Sequence, residues 1–355
     1  MKPHPSTLGV ERRALWCAGI FGVVALGLAF LEPRSVTVAC RLAIFACLAP
    51  AIGCTAFALI HRIAGGQWTA GLAPFISAGV RTLPWAWVVA TPILLFARKH
   101  YSPGLAYDSF TMVAARAVLF ALLFFGLRWA LSGGVGNEED ARQNARPWAG
   151  PVGLIVLFFM LTVLADDWLE SLEENWHSTA FTVVWIAGQA MCGLSLCILC
   201  GLRGGARPIS KGSAGRPLGF DWGNLLLAST MFWAYVSFAQ FLIIWAGNMP
   251  DETSWYLRRQ HGVWQFVVPG VALLGFAIPF SLLLSRRLKQ SSAGLAWVAS
   301  MLLAAQLAYT AWLIIPAQGN LTPTGGMLAA ALLTGAVALF TSRFLRAARL
   351  TGGHA

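Results

Sequence analysis

The chain has 355 residues, of which apolar types make up 57% and charged types only 11%. A soluble domain carries about 25% charged residues, so this chain has too few to coat a water-facing surface. Its mean hydropathy of +0.67 makes lipid the solvent for most of it. The formal net charge of +11, from 25 Lys+Arg against 14 Asp+Glu, is therefore a question of membrane topology before it is one of nucleic acid. The seven cysteines are odd in number and mostly sit inside apolar runs, which argues against a disulfide framework.

A bilayer-crossing helix needs roughly 20 apolar residues. Ten such runs are expected, near 14–31, 36–60, 83–97, 112–131, 151–166, 179–202, 222–247, 263–284, 293–316 and 325–342. The fold class is thus all-α, a polytopic transmembrane bundle forming a single membrane domain over 1–355. The first run follows Arg12 and Arg13 and ends at Leu31-Glu32-Pro33 with no small-x-small site, so no cleaved leader is expected. The third and fifth runs are short, and an earlier start is open for the third, because 69–80 is also apolar, though broken by Gly71 and Pro74. The other breaks, at Gly65-Gly66, Ser102-Pro103-Gly104, Gly133-Gly134, Gly204-Gly205, Asn248-Met249-Pro250 and Thr322-Pro323, fall where helices should stop.

Ten spans return both termini to one side. Eighteen of the 25 Lys+Arg fall on that side. Seven fall on the other: Arg34, Arg41, Arg98, Lys99, Arg116, Arg258 and Arg259. The positive-inside rule then puts both termini in the cytoplasm, and the basic excess is topology rather than a nucleic-acid footprint. The outer loop after span five is acidic, with Asp166, Asp167, Glu170, Glu173, Glu174 and His177. A solvated loop accounts for such a cluster as readily as a site does.

Haem b in a helical bundle needs axial ligands within the membrane, usually His. The six histidines, His4, His61, His100, His177, His261 and His354, all lie in loops or at helix ends, and no Cys-x-x-Cys-His occurs. Cys40, Cys47 and Cys54 share one face of span two, and Cys197 and Cys200 lie inside span six; packing as small apolar side chains is their expected role. No metal site and no redox metal of the chain's own is expected. In span seven, Thr230, Trp233, Ser237, Gln240, Ile244 and Asn248 recur at helical spacing on one face. Gln189 in span six and Gln306 with Tyr309 in span nine are placed to face this stripe. Either interhelical hydrogen bonding or a path for protons or a quinone headgroup would use such residues. Asp221, at the start of span seven, reads as an N-cap or as a proton entry point.

The stretch from Asp221 to Arg259 is distinctive. Trp233-Ala234-Tyr235, Phe238-Ala239-Gln240, Trp245, Asn248, Pro250, Glu252, Trp255-Tyr256 and Arg259 resemble the F-subunit family of bacterial alternative complex III. These quinol:cytochrome c oxidoreductase subunits are relatives of polysulfide-reductase/NrfD-type membrane anchors. A second stretch is similar to the same family: Asp167-Trp168, Ser171-Leu172-Glu173, Trp176, Ser178-Thr179 and Gly188-Gln189. Glu174 stands there where the family has proline, and Ala239 where it has serine. A third stretch, His61, Gly65-Gly66, Trp68 and Arg81-Thr82-Leu83-Pro84, lacks the acidic residue expected before the arginine.

The resemblance implies a ten-helix subunit of the bacterial inner membrane. It would carry no cofactor of its own and would sit beside a similar quinol-oxidising subunit and iron–sulfur and haem c partners. Quinol or quinone, as menaquinone or ubiquinone, would be the substrate. A quinol site needs a proton acceptor, a donor and an apolar cleft. At the outer ends of spans five to eight, Asp166, Asp167, Glu173 and His177 are the candidate acceptors. Trp168, Trp176 and Trp255 are candidate walls, and Tyr256, Arg258 and Arg259 candidate donors. Asp221, Thr230, Tyr235, Ser237, Gln240 and Gln189 are candidates for a proton path. Two alternatives stay open: a structural anchor, suited by small faces such as Gly19, Gly22 and Gly27, and a secondary transporter, for which inverted repeats with broken helices are not evident.

Overall fold

The computed structural model describes residues 5–32, 35–98, 109–132, 146–173, 176–210, 215–319 and 321–352. His4, Arg34, Lys99, His100, Glu174 and His354 lie outside the described residues. The chain runs through α1 (Pro5–Leu31), α2 (Val36–Ala64), α3 (Ala73–Arg98), α4 (Phe110–Ala130), α5 (Ala149–Trp168) and α6 (Thr179–Arg203). It continues through α7 (Leu218–Gly247), short α8 (Pro250–Arg258), α9 (Gly262–Leu283), short α10 (Arg286–Gln290), α11 (Ser292–Ile314) and α12 (Pro323–Gly352). No β-strand occurs among the described residues. Ten helices, all but α8 and α10, are long and apolar enough to cross a membrane.

Most boundaries fall within a few residues of the sequence reading. The largest departures are the start of α3, at Ala73 rather than near residue 83, the end of α12, at Gly352 rather than near 342, and the start of α1, at Pro5 rather than near 14. Gly71 turns the chain at φ +77°, and Pro74 then occupies the first helical turn, where its missing N–H would have no intrahelical partner anyway. Two further prolines, Pro84 and Pro92, are carried inside α3. The N-cap expectation for Asp221 is corrected: Pro217 occupies that position and Asp221 lies in the first turn of α7. The carbonyls of Ser210 and Pro208 accept from the N–H groups of Leu218 and Gly219 at 3.0 and 2.8 Å, so the orphan donors of the first turn need no side-chain cap. Asp221 instead accepts from Arg216 at 3.1 Å.

The start of α1 and the end of α12 lie at the same end of the bundle. Helices α1 and α12 pair antiparallel: Glu11 meets Arg349 near the termini, and Thr322 donates to Glu32 at 2.9 Å at the opposite end. We call these the terminal end and the far end. Helix α1 is peripheral, with 6% of its membrane window buried, whereas α2 and α6 are central, with 72% each. Glycine permits that centre. A Cβ on Gly193 would stand 2.5 Å from Cys54 N and 2.6 Å from the Gly53 Cα, so α2 and α6 touch backbone to backbone, as small residues allow in lipid. Beside this crossing the sulfurs of Cys54 and Cys197 lie 3.4 Å apart. All seven cysteines are free. The small faces on α1 behave differently: Gly19 and Gly27 have no neighbour where a Cβ would stand, and only the backbone of Gly22 approaches Gly335.

Helix α9 is irregular. It passes from a 3-10 turn at Gly262–Phe266 through α-helix into a π-helical turn at Leu273–Ala277 before Ile278–Leu283. Proline explains the widening. Pro279 cannot donate to the carbonyl of Gly275, and its ring crowds that carbonyl. The N–H of Ile278 bonds one residue further back, to Leu273, which is the π register.

Candidate functional site

The far end of the bundle gathers the charged and aromatic residues singled out in the sequence, but in three separate groups. The first is an ion pair inside the helices. Arg116 of α4 donates from Nε and Nη2 to both carboxylate oxygens of Asp167 in α5, at 2.9 and 2.5 Å. The Asp167 side chain is 1% exposed. A bidentate pair of this kind holds both charges where lipid would otherwise penalise each. Asp167 is thereby engaged before any ligand arrives, and its neighbour Trp168 is buried in the core.

The second group is Asp166, Glu170 and His177. Nδ1 of His177 lies 3.9 Å from Asp166 and 4.0 Å from Glu170. Glu170 accepts from the backbone N–H of Ser178 at 3.1 Å, which fixes the turn between α5 and α6. The three residues offer ligand atoms within 4.8 Å of one another, the spacing a divalent cation would need.

The third group is built on Glu173 and the end of α8. Arg258 and Arg259 both reach Glu173, at 2.7 and 3.0 Å. Arg259 is 2% exposed. It also donates to the carbonyls of Trp255, Trp312 and Leu313 at 2.8, 3.2 and 3.0 Å. The residue four after Trp312 is Pro316, which has no N–H, so the Trp312 carbonyl is left open by α11 and is capped from another helix. The guanidinium lies 4.0 Å from the Trp255 ring centre, and Trp255 stacks on Trp176 at 4.6 Å. Burial pulls the Arg259 guanidinium down to about 10, with Glu173 opposing the fall, so it stays charged at neutral pH. Burial also pushes the Tyr256 phenol up to about 12, against the pull of Arg259. Tyr256 is therefore a neutral hydroxyl under ordinary conditions.

A cleft of about 620 Å³ opens beside this group, between α7, α9 and α11. Tyr256 and Trp312 line one part of it, Trp233, Ser237, Gln240 and Tyr309 another, and Phe276 and Phe280 flank the π-helical turn of α9. Tyr235 and Phe238 also line it while being 71% and 63% exposed, so the cleft opens sideways, toward where lipid would lie. Four polar atoms of the lining residues are buried without a hydrogen-bond partner among the described residues: Trp233 Nε1, Ser237 Oγ, Gln240 Nε2 and Trp312 Nε1. No carboxylate or imidazole is among the lining residues.

The span-seven stripe is a real inward face in part. Thr230, Trp233, Gln240 and Ile244 are buried, and Thr230 donates to the Met191 sulfur at 3.8 Å. Asn248 is exposed and ends the helix in a left-handed conformation, φ +45°. Gln189 is buried in α6 and donates back to its own helix, to Trp185 at 3.0 Å. Asp221 lies at the terminal end, away from the cleft. Of the residues expected to form a quinol site, the cleft takes Tyr256, and of those expected to form a proton path it takes Tyr235, Ser237 and Gln240. Asp166, Asp167, Glu173, His177, Trp168, Trp176, Arg258 and Arg259 do not line it. Trp312, Phe276 and Phe280 were not singled out in the sequence; Pro279, which sets the π register beside them, was the only available signal.

The three stretches quoted for the family resemblance meet in space. Trp222 donates to the carbonyl of Trp68 at 2.8 Å, joining the third stretch to the first. Glu173 and Trp176 of the second stretch meet Arg259 and Trp255 of the first. No protein-family model matches the chain, and no curated protein matches it.

Proposed function

We propose that this chain is a multi-pass subunit of a bacterial inner-membrane quinol:electron-acceptor complex, with both termini cytoplasmic, and that its cleft holds a quinone ring. One observation carries the reading: six residues of the distinctive Asp221 to Arg259 stretch converge on one apolar cleft that opens toward lipid. Trp233, Ala234, Tyr235, Phe238, Gln240 and Tyr256 all line it. A quinone head is a flat apolar ring with two opposed oxygens. The aromatic walls suit the ring, and the unpartnered Gln240 Nε2, Ser237 Oγ and indole N–H groups are the donors its oxygens would need.

Oxidation of a quinol releases two protons and two electrons. The electrons would leave to iron–sulfur or haem c centres of partner subunits. The protons require an acceptor within hydrogen-bond reach, and the cleft lining supplies only hydroxyls and amides. This favours binding and positioning of the quinone here, with the proton-accepting chemistry in a neighbouring subunit. The same observation keeps a second reading in play, in which the chain anchors the true quinol subunit and the cleft is a packing surface.

Photolabelling of the assembled complex with an azido-quinone distinguishes the two. Labelled peptides from α7 and α9 are expected, and Gln240→Leu should weaken protection by unlabelled quinone roughly fivefold, the loss of one hydrogen bond. Labelling confined to other subunits would overturn the proposal. Proton release per quinol in the same variant tests the stripe: an unaltered ratio makes it structural.

A further inference from the structure

A second groove lies at the terminal end, away from the cleft. It has a volume of about 720 Å³ and runs between α2, α3 and α12. Its membrane-ward walls are aliphatic and sulfur-bearing, with Cys40, Cys47, Ile93, Leu332 and Ala336 among them. Its mouth is unlike its walls. Arg81 of α3, Arg128 of α4, and Arg343 and Arg346 of α12 all line it. Three separate helices thus deliver guanidinium groups to one opening. Arg81, Arg343 and Arg346 are exposed, and Arg128 is half-buried and donates to the Arg81 carbonyl at 3.4 Å. No carboxylate lines the groove, and none of the four arginines makes an ion pair among the described residues.

Three other buried or half-buried arginines of this chain are each paired with an acid: Arg116 with Asp167, Arg259 with Glu173, Arg349 with Glu11. Four guanidiniums at one apolar mouth, with no acid, require an anion from outside. The anion must also be joined to something that fills an apolar groove within the membrane. We infer that this groove binds an anionic phospholipid of the leaflet at the terminal end, its phosphate among the four arginines and an acyl chain along α2 and α12. Trp85 marks the depth. It lies one turn membrane-ward of Arg81 and is 58% exposed, as an indole at the headgroup boundary is. Basic pockets between transmembrane helices select lipid headgroups by this chemistry. The positive-inside count gives this end to the cytoplasmic leaflet, whose anionic lipids would supply the ligand.

The test uses the full chain in detergent, delipidated and then offered phosphatidylglycerol, cardiolipin or phosphatidylethanolamine, with bound lipid counted by native mass spectrometry. The two anionic lipids should be retained and the zwitterionic one should wash off. Exchanging Arg343 and Arg346 for Gln together should weaken retention about thirtyfold. Arg286→Gln, another exposed arginine at the same end, should change nothing. Ala336→Phe, which fills the groove and leaves every arginine in place, should also expel the lipid. Equal retention of phosphatidylethanolamine, retention unaffected by the double variant, or a quinone or partner peptide in the groove would each overturn the inference.

Discussion

Arg259 makes a prediction whose sign distinguishes two reasons for burying a cation. If the Glu173 pair is its purpose, neutralising either partner should be equally harmful, since each change leaves one charge alone. The geometry argues otherwise. Arg259 donates to three carbonyls besides Glu173, and one of them, on Trp312, has lost its helical donor to Pro316. Glu173→Gln keeps an acceptor for Arg259, and the guanidinium keeps its three carbonyls and the Trp255 face. The loss is the excess of a charge-assisted bond over a neutral one, about 1–2 kcal/mol. Arg259→Gln strands buried carbonyls at about 1–3 kcal/mol each. One is rescued by the glutamine amide, and Glu173 keeps Arg258, leaving a cost of about 3–5 kcal/mol. Arg259→Lys should resemble Arg259→Gln, because one ammonium cannot reach carbonyls spread over two helices. Thermal unfolding in one detergent, followed by tryptophan fluorescence, ranks the three. If Glu173→Gln melts at or below Arg259→Gln, or if Arg259→Lys melts with the wild type, helix capping is not what this arginine does.

Three further outcomes are expected. Gly193→Ala should destabilise by about 1–3 kcal/mol or more, because its Cβ would meet the backbone of Gly53 and Cys54; a melting temperature equal to wild type would mean the helices part freely. Asp167→Asn should lower stability by about 1.5–3 kcal/mol by taking the bidentate carboxylate from Arg116, and Arg116→Met in the same chain should recover much of it. Quinol turnover of the assembled complex should follow that stability; turnover lost at full stability would put Asp167 in the chemistry instead. Tyr256 is held as a phenol up to about pH 12, above the ordinary value near 10. The folded chain then keeps a proton that the unfolded chain gives up, so this group's stabilisation is whole below pH 10 and drains away between 10 and about 12. Tyr256→Phe should abolish that part of the alkaline stability loss, and a tyrosinate absorbance step near pH 12 should vanish with it.

The spans were legible because hydropathy is a local property and lipid enforces it at every turn. Where the reading fell short, the cause was again local. Pro74 looked like a break but sits in a helical first turn, so α3 takes the earlier start that the apolar 69–80 stretch left open. The apolar run of span ten stops near residue 342, yet α12 continues through Arg343, Arg346 and Arg349, since arginine stems can lie along a helix end with their heads in water. The site was legible only as a set of residue types. Periodicity assigned Thr230, Trp233 and Gln240 to one face of α7, and they are buried. It could not say that Tyr235, off that face, would line the same cleft, because that depends on where α9 and its π-helical turn stand. Nor could it link Asp167 to Arg116 or Pro316 to Arg259, which are pairings between distant segments with no periodic signature.

Those pairings also bear on the charge count. The sequence allots seven cations to the far side against eighteen on the other. Among the described residues, Arg41 is buried within α2, Arg116 is neutralised inside the helices by Asp167, and Arg258 and Arg259 share Glu173. Glu173 offsets one of its two arginines, so carboxylates balance two of the seven. The terminal end differs, since Arg81, Arg128, Arg343 and Arg346 lie together without an acid. On the terminal side Asp221 and Glu11 balance Arg216 and Arg349, so subtracting pairs from both sides leaves the imbalance standing, and four of the remaining arginines gather at the mouth of one groove. A chain with so few charges has placed its unpaired ones where an anionic headgroup layer would neutralise them. The same asymmetry would thus orient the bundle and recruit its lipid.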